Sequence, residues 1–288
     1  MKGATQAPKK WWTEWDWNIG VRQQFNMTLL HEEQTPFQKL YIYDHDYLGK
    51  VLVLDDVHQT NQRDECGYHD MMSHVPILGR KEALDKKPCS VLIIGGGDGG
   101  TLREVLVHDF VTKAVMVEID QRVVELCSEY LKINGDYKDP RVTLLYEDAA
   151  KYIADPKIQA NPFDVIIVDA TDPTGGPGDV LYADEFYENL KKCLTPTGVV
   201  TRHLGVPGFQ PQMLADGYKK AKKFFPSVEV YKAVIPAYLG GEMSFMACSK
   251  DGHSSKKPFG QVTRKYYNPE IHEGSFALPT WWKKLINE

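Results

Sequence analysis

CSVLIIGGGDGG, residues 89–100, decides how the rest of the chain is read. Its first half is an unbroken apolar run of strand length, and its second half is a glycine turn. A strand apolar on both faces belongs in a sheet that is covered on both sides. Downstream, TLREVLVHD predicts a helix, KAVMVEID a second strand and QRVVELCSEYLKI a second helix. RVTLLYEDA then predicts a third strand and FDVIIVDA a fourth, and Pro196 and Gly198 introduce a fifth, GVVTRHL. Strands alternating with helices predict an α/β fold with a doubly wound, mostly parallel sheet. VEVYKAVIP and EMSFMACSK predict a closing antiparallel pair.

Upstream of that run the character differs. Residues 26–62 (NMTLLHEE, QKLYIYDHD, KVLVLDDVHQT) alternate and are rich in β-formers, with turn-like YLGK and LDD between them. They predict a small antiparallel sheet. Residues 64–79, DECGYHDMMSHVPILG, predict a helix with Met71, Met72 and Val75 as its apolar stripe, ended or kinked by Pro76. The first 25 residues are polar and carry Trp11, Trp12, Trp15 and Trp17, which either dock on a partner subunit or pack on their own body. RKEALDKKP is a polar linker. The division that follows is an N-terminal β-hairpin and oligomerisation domain, residues 1–79, and a catalytic domain, residues 80–288. No internal repeat or long low-complexity stretch is present.

Composition narrows the partners. A net charge of −5 provides no strong field toward nucleic acid or an anionic membrane. It suits a cationic small substrate without requiring one. The cysteines Cys66, Cys89, Cys127, Cys193 and Cys248 are odd in number, scattered and without a C-x-x-C pair. That argues against a disulfide framework and a zinc site, and for a reducing compartment, the cytoplasm. The N-terminus lacks the apolar core of a secretory signal, and no run approaches the roughly 18 apolar residues of a membrane span.

Gly95-Gly96-Gly97-Asp98-Gly99-Gly100 satisfies G-x-G-x-x-G, the turn of a Rossmann-like nucleotide site. Glycines such as Gly95 and Gly97 allow a sharp turn and close approach to a ligand. Glu118 ends the second strand, where an acidic side chain accepts hydrogen bonds from ribose hydroxyls. Alternatively Glu118 caps the following helix, a job Asp120 does equally well. Asp98 inside the loop would repel a pyrophosphate and attract a sulfonium or an ammonium. That favours an S-adenosyl ligand over a dinucleotide. Asp148, at the end of the third strand, faces the adenine amino group or caps a helix. The fourth strand ends Asp169-Ala170-Thr171-Asp172-Pro173. Ligands of open α/β sheets sit outside the carboxyl ends of strands, so both carboxylates can face one. A carboxylate beside an attacking amine can orient it and accept its proton, while the second holds a remote ammonium. The plainer reading of the same residues is a turn closed by aspartate and proline.

These segments resemble the spermidine synthase family. LDDVHQTNQRDECGYHDMMSHVP is similar to the family's LDGVxQxTERDEFxYHEMxxHxP, and VLIIGGGDGGTLREVLVH to its nucleotide loop. VDATDPTGGPGDVLYADEFY resembles its D-x-T-D-P-x-G-P loop, IPAYLGGEMSF its I-P-T-Y-x-x-G-x-M-x-F segment, and KYYNPEIHEGSFALP the tail of bacterial members. The resemblance runs from about Leu29 to about Pro279. It implies a Rossmann-like sheet of the class I methyltransferase type behind a small N-terminal antiparallel β domain. It implies aminopropyl transfer from decarboxylated S-adenosylmethionine to putrescine or a related amine, with release of methylthioadenosine. Asp169 would accept the proton. Asp172, Tyr68 and Tyr238 would hold the amine, with Pro177 on the same side; Arg202 is a further substrate-site candidate that this chain adds to the pattern. Gln38, His69, Gly95, Gly97, Asp98, Glu118, Asp148 and Ala149 would bind the donor. The donor is a co-substrate, no cofactor is held permanently and no metal is needed. The partners implied are a di- or polyamine and a second or fourth copy of the chain, as homodimer or homotetramer, with neither nucleic acid nor membrane.

The chain departs from the pattern near the acceptor. TDPTGGPGD carries an extra glycine, which shifts Asp179 and Leu181, and glycines beside the carboxylates suit a mobile gate. Ala170 replaces a small polar residue or cysteine, Gln62 and Asp70 each replace a glutamate, and Ala237-Tyr238-Leu239 replaces T-Y-Y or T-Y-P. The fifth strand ends Thr201-Arg202-His203-Leu204, where a glutamine followed by a small polar residue is common. Arg202 pairs with Asp172 or Asp179, grips a substrate carboxylate, or is satisfied internally. The second of these would mean a carboxylate-bearing acceptor, or intact S-adenosylmethionine as donor. An amine N-methyltransferase on the same scaffold and a non-catalytic polyamine or nucleoside sensor are the competing functions.

Overall fold

The alternating pattern of residues 26–62 folds into the expected antiparallel meander. The computed structural model describes residues 8–14, 20–172 and 177–287. β1 (Lys10–Glu14), β2 (Gln23–Gln34), β3 (Lys39–His45), β4 (Gly49–Leu54) and β5 (Val57–Asn61) pair in chain order. The β4–β5 turn is Asp55-Asp56, with φ of 47° and 61°. Two successive left-handed residues match a hairpin's twist, and aspartate tolerates that conformation. Trp12 packs on Phe25 and Tyr43, whereas Trp11 is exposed. Trp15 and Trp17 lie outside the described residues.

The second sheet contains β6 (Cys89–Gly95), β7 (Val111–Glu118), β8 (Val142–Tyr146), β9 (Phe163–Asp169), β10 (Leu194–His203), β11 (Ser227–Val234) and β12 (Glu242–Ser249). Their order is β11-β12-β10-β9-β6-β7-β8. Pairs involving β12 are antiparallel and the others parallel. This is the doubly wound sheet with its closing antiparallel pair. The unbroken apolar runs are explained by two cores. Val91, Ile93, Val165 and Ile167 enter one, while Leu92, Ile94, Ile166 and Val168 enter the other. Successive strand residues face opposite sides, and both sides are covered.

Helix α1 (Cys66–Leu78) is buried along its whole length. It runs through Pro76 and ends two residues later, where the Gly79 N–H reaches the Val75 carbonyl. α1 falls within residues 1–79 by sequence, yet it packs against α2 (Gly100–Leu106) and strands β9 to β12. α3 (Gln121–Leu126) continues into a π-helical turn, Cys127–Leu131. Val123, Leu126, Cys127 and Leu131 meet Leu40, Ile42, Leu52 and Leu54 of the first sheet. Arg122 adds a two-pronged ion pair to Glu33 of β2. The first sheet therefore sits over the corner where β7 turns into α3.

Asp70, His74 and Glu104 come together beneath α1 with the residue types of a metal site. Arg264 bonds both Glu104 oxygens, with Arg103 on one and His74 on the other. The Tyr266 and Tyr267 amides donate to Asp70. The cluster thus ties α1, α2 and the C-terminal segment together. Burial would raise the Glu104 pKa, but its cationic and imidazole neighbours hold it well below the usual carboxylate range. All five cysteines are buried and free. Among the described residues no helix is long and apolar enough to cross a membrane.

Removing one partner of a buried ionic network leaves uncompensated charge. Glu104→Ala is therefore expected to cost about 3–5 kcal/mol of stability. Urea denaturation checks this, and an unchanged midpoint would show that Arg103, Arg264 and His74 need no anion there.

Candidate active site

β6 and β9 are neighbours at the point where the strand order reverses, and Gly95 lies beside Asp169 in their register. Ligand crevices form outside the carboxyl ends of strands at such a point. The glycine turn is pressed against Asp169. Gly95 has φ of 80°, and a Cβ on it would lie 2.1 Å from the Asp169 carbonyl oxygen. The Gly96 N–H donates to that same oxygen at 2.7 Å. At Gly97 a Cβ would stand 3.0 Å from Glu118 Oε2. These glycines therefore keep two carboxylates close to the turn.

Above them is a cavity of about 370 Å³. Gln38, Tyr68, His69, Gly95, Gly97, Asp98, Glu118, Asp148, Ala149, Asp169, Asp172 and Tyr238 all line it. They come from the first sheet, from α1, from four ends of the second sheet and from the β11–β12 connection.

Asp169 accepts from Tyr68 Oη at 2.9 Å on one oxygen and from Thr101 Oγ1 at 2.6 Å on the other. Burial raises its pKa, and the nearby Asp98 charge adds to the rise against these donors. Burial also lifts Tyr68 well above the usual phenol range, with Asp169 second, so Tyr68 stays a donor. His69 lies between two carboxylates, with Nδ1 2.6 Å from Glu65 Oε2 and Nε2 3.2 Å from Asp98 Oδ2. Burial alone would lower its pKa, but Asp98 and Glu65 raise it well above the ordinary histidine value. His69 thus offsets part of the negative charge that Asp98 brings. The other Asp98 oxygen accepts from the Gly100 N–H.

The choice between Glu118 and Asp120 as helix cap is resolved. Asp120 caps α3, and its second oxygen accepts from Thr35 and Gln38. Glu118 accepts from the Asp120 N–H and lines the cavity. Burial, reinforced by the Asp120 and Asp169 charges, pushes its pKa up to about 7 against the Asp120 amide. Asp148 caps α4 (Ala149–Ala154) and also lines the cavity. Tyr238 donates to the Gln59 carbonyl at 2.6 Å, and its ring meets Tyr68 edge-on. Asp172 accepts from Gln210 Nε2 at 3.0 Å.

One expected acceptor residue, Arg202, is not brought to the cavity. Arg202 is buried on the opposite face of β10 from His203, because neighbouring strand residues alternate. It donates to the Leu181 carbonyl and to Tyr187 Oη, and lies 3.9 Å over the Tyr182 ring. Its Nη1 is bonded internally, its Nε has no hydrogen-bond partner among the described residues, and no pairing with Asp172 forms. Pro177 opens a short turn, Pro177–Tyr182, from which Gly178, Val180 and Leu181 reach the cavity wall. The Pro177 side chain and residues 173–176 of the expected gate lie outside the described residues.

The cavity also contains residues that sequence reading missed: Glu14, His58, Gln59, Phe209 and Gln210. Glu14 is a buried carboxylate on β1 that meets the Gln23 side chain and the His58 N–H. Its place in WWTEWDW, between tryptophans of a polar stretch, was the only signal. Gln210 carried none.

The comparisons agree with this geometry. A family model for the spermine/spermidine synthase domain matches residues 65–258, and one for the spermidine synthase tetramerisation domain matches residues 11–62. A polyamine aminopropyltransferase of Pectobacterium carotovorum subsp. carotovorum is 41% identical over 264 residues, covering 88% of this chain and 89% of its own. One from Pseudomonas syringae pv. tomato is 40% identical over 282 residues, covering 93% and 95%. A crystal structure of spermidine synthase with the transition-state analogue AdoDATO superposes with a TM-score of 0.89 at 35% identity, covering 99% of this chain and 98% of that one. Spermidine synthase from Thermotoga maritima gives a TM-score of 0.87, also at 35% identity, covering 99% and 97%.

Glu118 takes up a proton on folding between its unfolded pKa of 4.5 and about 7. The folded state binds more protons there, so stability falls as pH rises through that window, by on the order of 3 kcal/mol for this group. Glu118→Gln removes that part of the pH dependence, which denaturation at a series of pH values reads directly. An identical profile in the variant would mean that Glu118 is ionised throughout.

Proposed function

Because the chain belongs to the spermine/spermidine synthase family, we propose that it is a polyamine aminopropyltransferase. It moves an aminopropyl group from decarboxylated S-adenosylmethionine to putrescine or a related amine. The observation that carries this is Asp169, a half-buried carboxylate of raised proton affinity between a nucleoside cradle and a second carboxylate, Asp172, in one cavity.

The chemistry follows from those groups. The donor is a co-substrate, and its ribose is held by Glu118, whose carboxylate accepts from the hydroxyls. Asp148 and Ala149 flank the base end, Gln38 lies beside Glu118 through its bond to Asp120, and Gly95 and Gly97 let the backbone approach. Asp98 and His69 sit beside the glycine turn, where the donor's positive charges gain from Asp98. The acceptor amine arrives protonated and cannot attack in that form. Asp169 takes the proton, and burial makes it a better base than an exposed aspartate. The freed nitrogen attacks the propyl carbon bonded to sulfur. That C–S bond breaks, its electron pair goes to sulfur, and methylthioadenosine leaves. Tyr68 and Thr101 keep the Asp169 carboxylate oriented. The faces of Tyr68 and Tyr238 suit a cationic polyamine stem. The carboxylate-bearing acceptor loses its support, because Arg202 is buried behind the cavity wall.

We also propose that the first sheet serves oligomerisation while α1, which carries Tyr68 and His69, belongs with the catalytic unit, that the chain works as a homodimer or homotetramer, and that it acts in the cytoplasm. The match to a tetramerisation domain and the free, buried cysteines support these readings.

Incubating the protein with each adenosyl donor and a panel of amines, with products identified by mass, tests the activity. Aminopropyl adducts with methylthioadenosine are expected. Methyl adducts with S-adenosylhomocysteine would replace the proposal by N-methyl transfer, and no adduct at all would leave a binding protein. Asp169→Asn is expected to lower turnover by roughly 10²-fold or more. Near-normal turnover would take the proton-accepting role from it.

A further inference from the structure

The hydrogen bonds of His69 fix its charge. Nδ1 lies 2.6 Å from Glu65 Oε2, and Nε2 lies 3.2 Å from Asp98 Oδ2. An ionised carboxylate only accepts, so both ring nitrogens carry hydrogens and the ring is an imidazolium. Glu65 is itself held: the oxygen that meets His69 also accepts from Arg103 Nη2 at 2.8 Å. Arg103 is anchored in turn, with Nη1 donating to the Ile133 carbonyl at 2.6 Å and Nε to Glu104 at 2.7 Å. The ring is pressed on Gly100, where a Cβ would lie 2.4 Å from it. Burial alone would raise the Glu65 pKa, yet His69 and Arg103 hold it below its ordinary value.

This cation stands at a wall that is otherwise acidic. Among the described residues seven carboxylates line the cavity, and no lysine or arginine does. Burial lowers the pKa of His58 to about 4, so it stays neutral. Facing His69 and Asp169 are Tyr68 of α1, Asp98 of the glycine turn, Glu118 at the end of β7 and Tyr238 before β12. Asp172 after β9 and His203 of β10 share the same wall. Neighbouring carboxylates resist ionising together unless a cation offsets them. Burial and Asp98 favour the protonated form of Asp169, and His69 opposes both. We propose that Glu65, fixed by Arg103, is a positioning residue that holds His69 as an imidazolium, and that this built-in cation keeps Asp98 and Asp169 ionised together before the donor binds. Asp169 then meets the amine as a base. The proposal rests on the aminopropyltransferase reading and adds Glu65 and Arg103 to it.

The test follows kcat/KM for decarboxylated S-adenosylmethionine, with 1,4-diaminobutane as acceptor, from about pH 5.5 to about 9, where the acid limb reports groups of the enzyme before the donor binds. His69→Gln is neutral at every pH and still has an N–H for Asp98. Its acid limb is expected to move up by about one pH unit or more, with activity recovering toward the alkaline end. Glu65→Gln keeps shape and an acceptor oxygen, and its limb is expected to move the same way by less, because His69 and Asp169 then titrate as a pair. NMR of the histidine Cε1–H groups reads the first half of the proposal without turnover. The His69 signal is assigned by its loss in whichever of His69→Gln and His69→Asn folds, as judged by circular-dichroism melting. It is expected to stay in the protonated form through about pH 8 in the wild type, and its midpoint to fall by about one unit or more in Glu65→Gln. An acid limb unmoved in folded His69→Gln, a loss equal at every pH, or a wild-type His69 that titrates at ordinary histidine values would each overturn the proposal. A wild-type chain that forms no aminopropyl adduct would instead sink the activity reading and leave the NMR result standing, so the two failures are distinguishable.

Discussion

The contact between the glycine turn and the end of β9 governs the site. Gly96 donates to the Asp169 carbonyl at 2.7 Å, in a space where a Cβ on Gly95 would overlap that oxygen. This holds the Asp169 side chain under the turn instead of out in solvent. Once there it is a partly desolvated carboxylate, with Asp98 nearby raising its proton affinity further. Tyr68 and Thr101 make that burial tolerable by donating to its two oxygens. A base that is strong for its type is a consequence of this packing, because desolvation disfavours the charged form.

The rest of the molecule builds a roof over that base. α1 is buried on all sides, and its Tyr68 and His69 point into the cavity from above the sheet. The ion network through Glu104 fixes α1 to α2 and to the C-terminal segment. The first sheet docks on α3 through apolar side chains and brings Gln38, His58 and Glu14 to the cavity rim. Charge is kept in balance locally. His69 sits between Glu65 and Asp98, while Asp120 is occupied by the α3 cap, Thr35 and Gln38. Asp98, Glu118, Asp169 and Asp172 face the cavity, where a cationic ligand can meet them.

β10 shows how adjacent residues acquire unrelated tasks. Arg202 and His203 are one residue apart and therefore on opposite faces of the sheet. Arg202 binds the Leu181 carbonyl and stacks on Tyr182, supporting the turn that forms part of the cavity wall. His203 faces the cavity and Asp172.

Much of this could be read from the chain alone, and for a physical reason. Apolar runs such as VLII and VIIV, glycine turns and carboxylates at strand ends are local patterns, set by backbone sterics and by burial on two sides of a sheet. They were enough for the α/β order, the closing antiparallel pair, and Asp98, Glu118 and Asp169 as the acids of one crevice. Which of Glu118 and Asp120 caps α3, whether Arg202 reaches the cavity, and that Glu14 and Gln210 do reach it, were settled only by the tertiary structure. Each depends on which way a side chain turns and on what arrives beside it from distant segments, as when Gln23 and His58 converge on Glu14. Such contacts are made by packing between elements, and no local pattern in the chain encodes them.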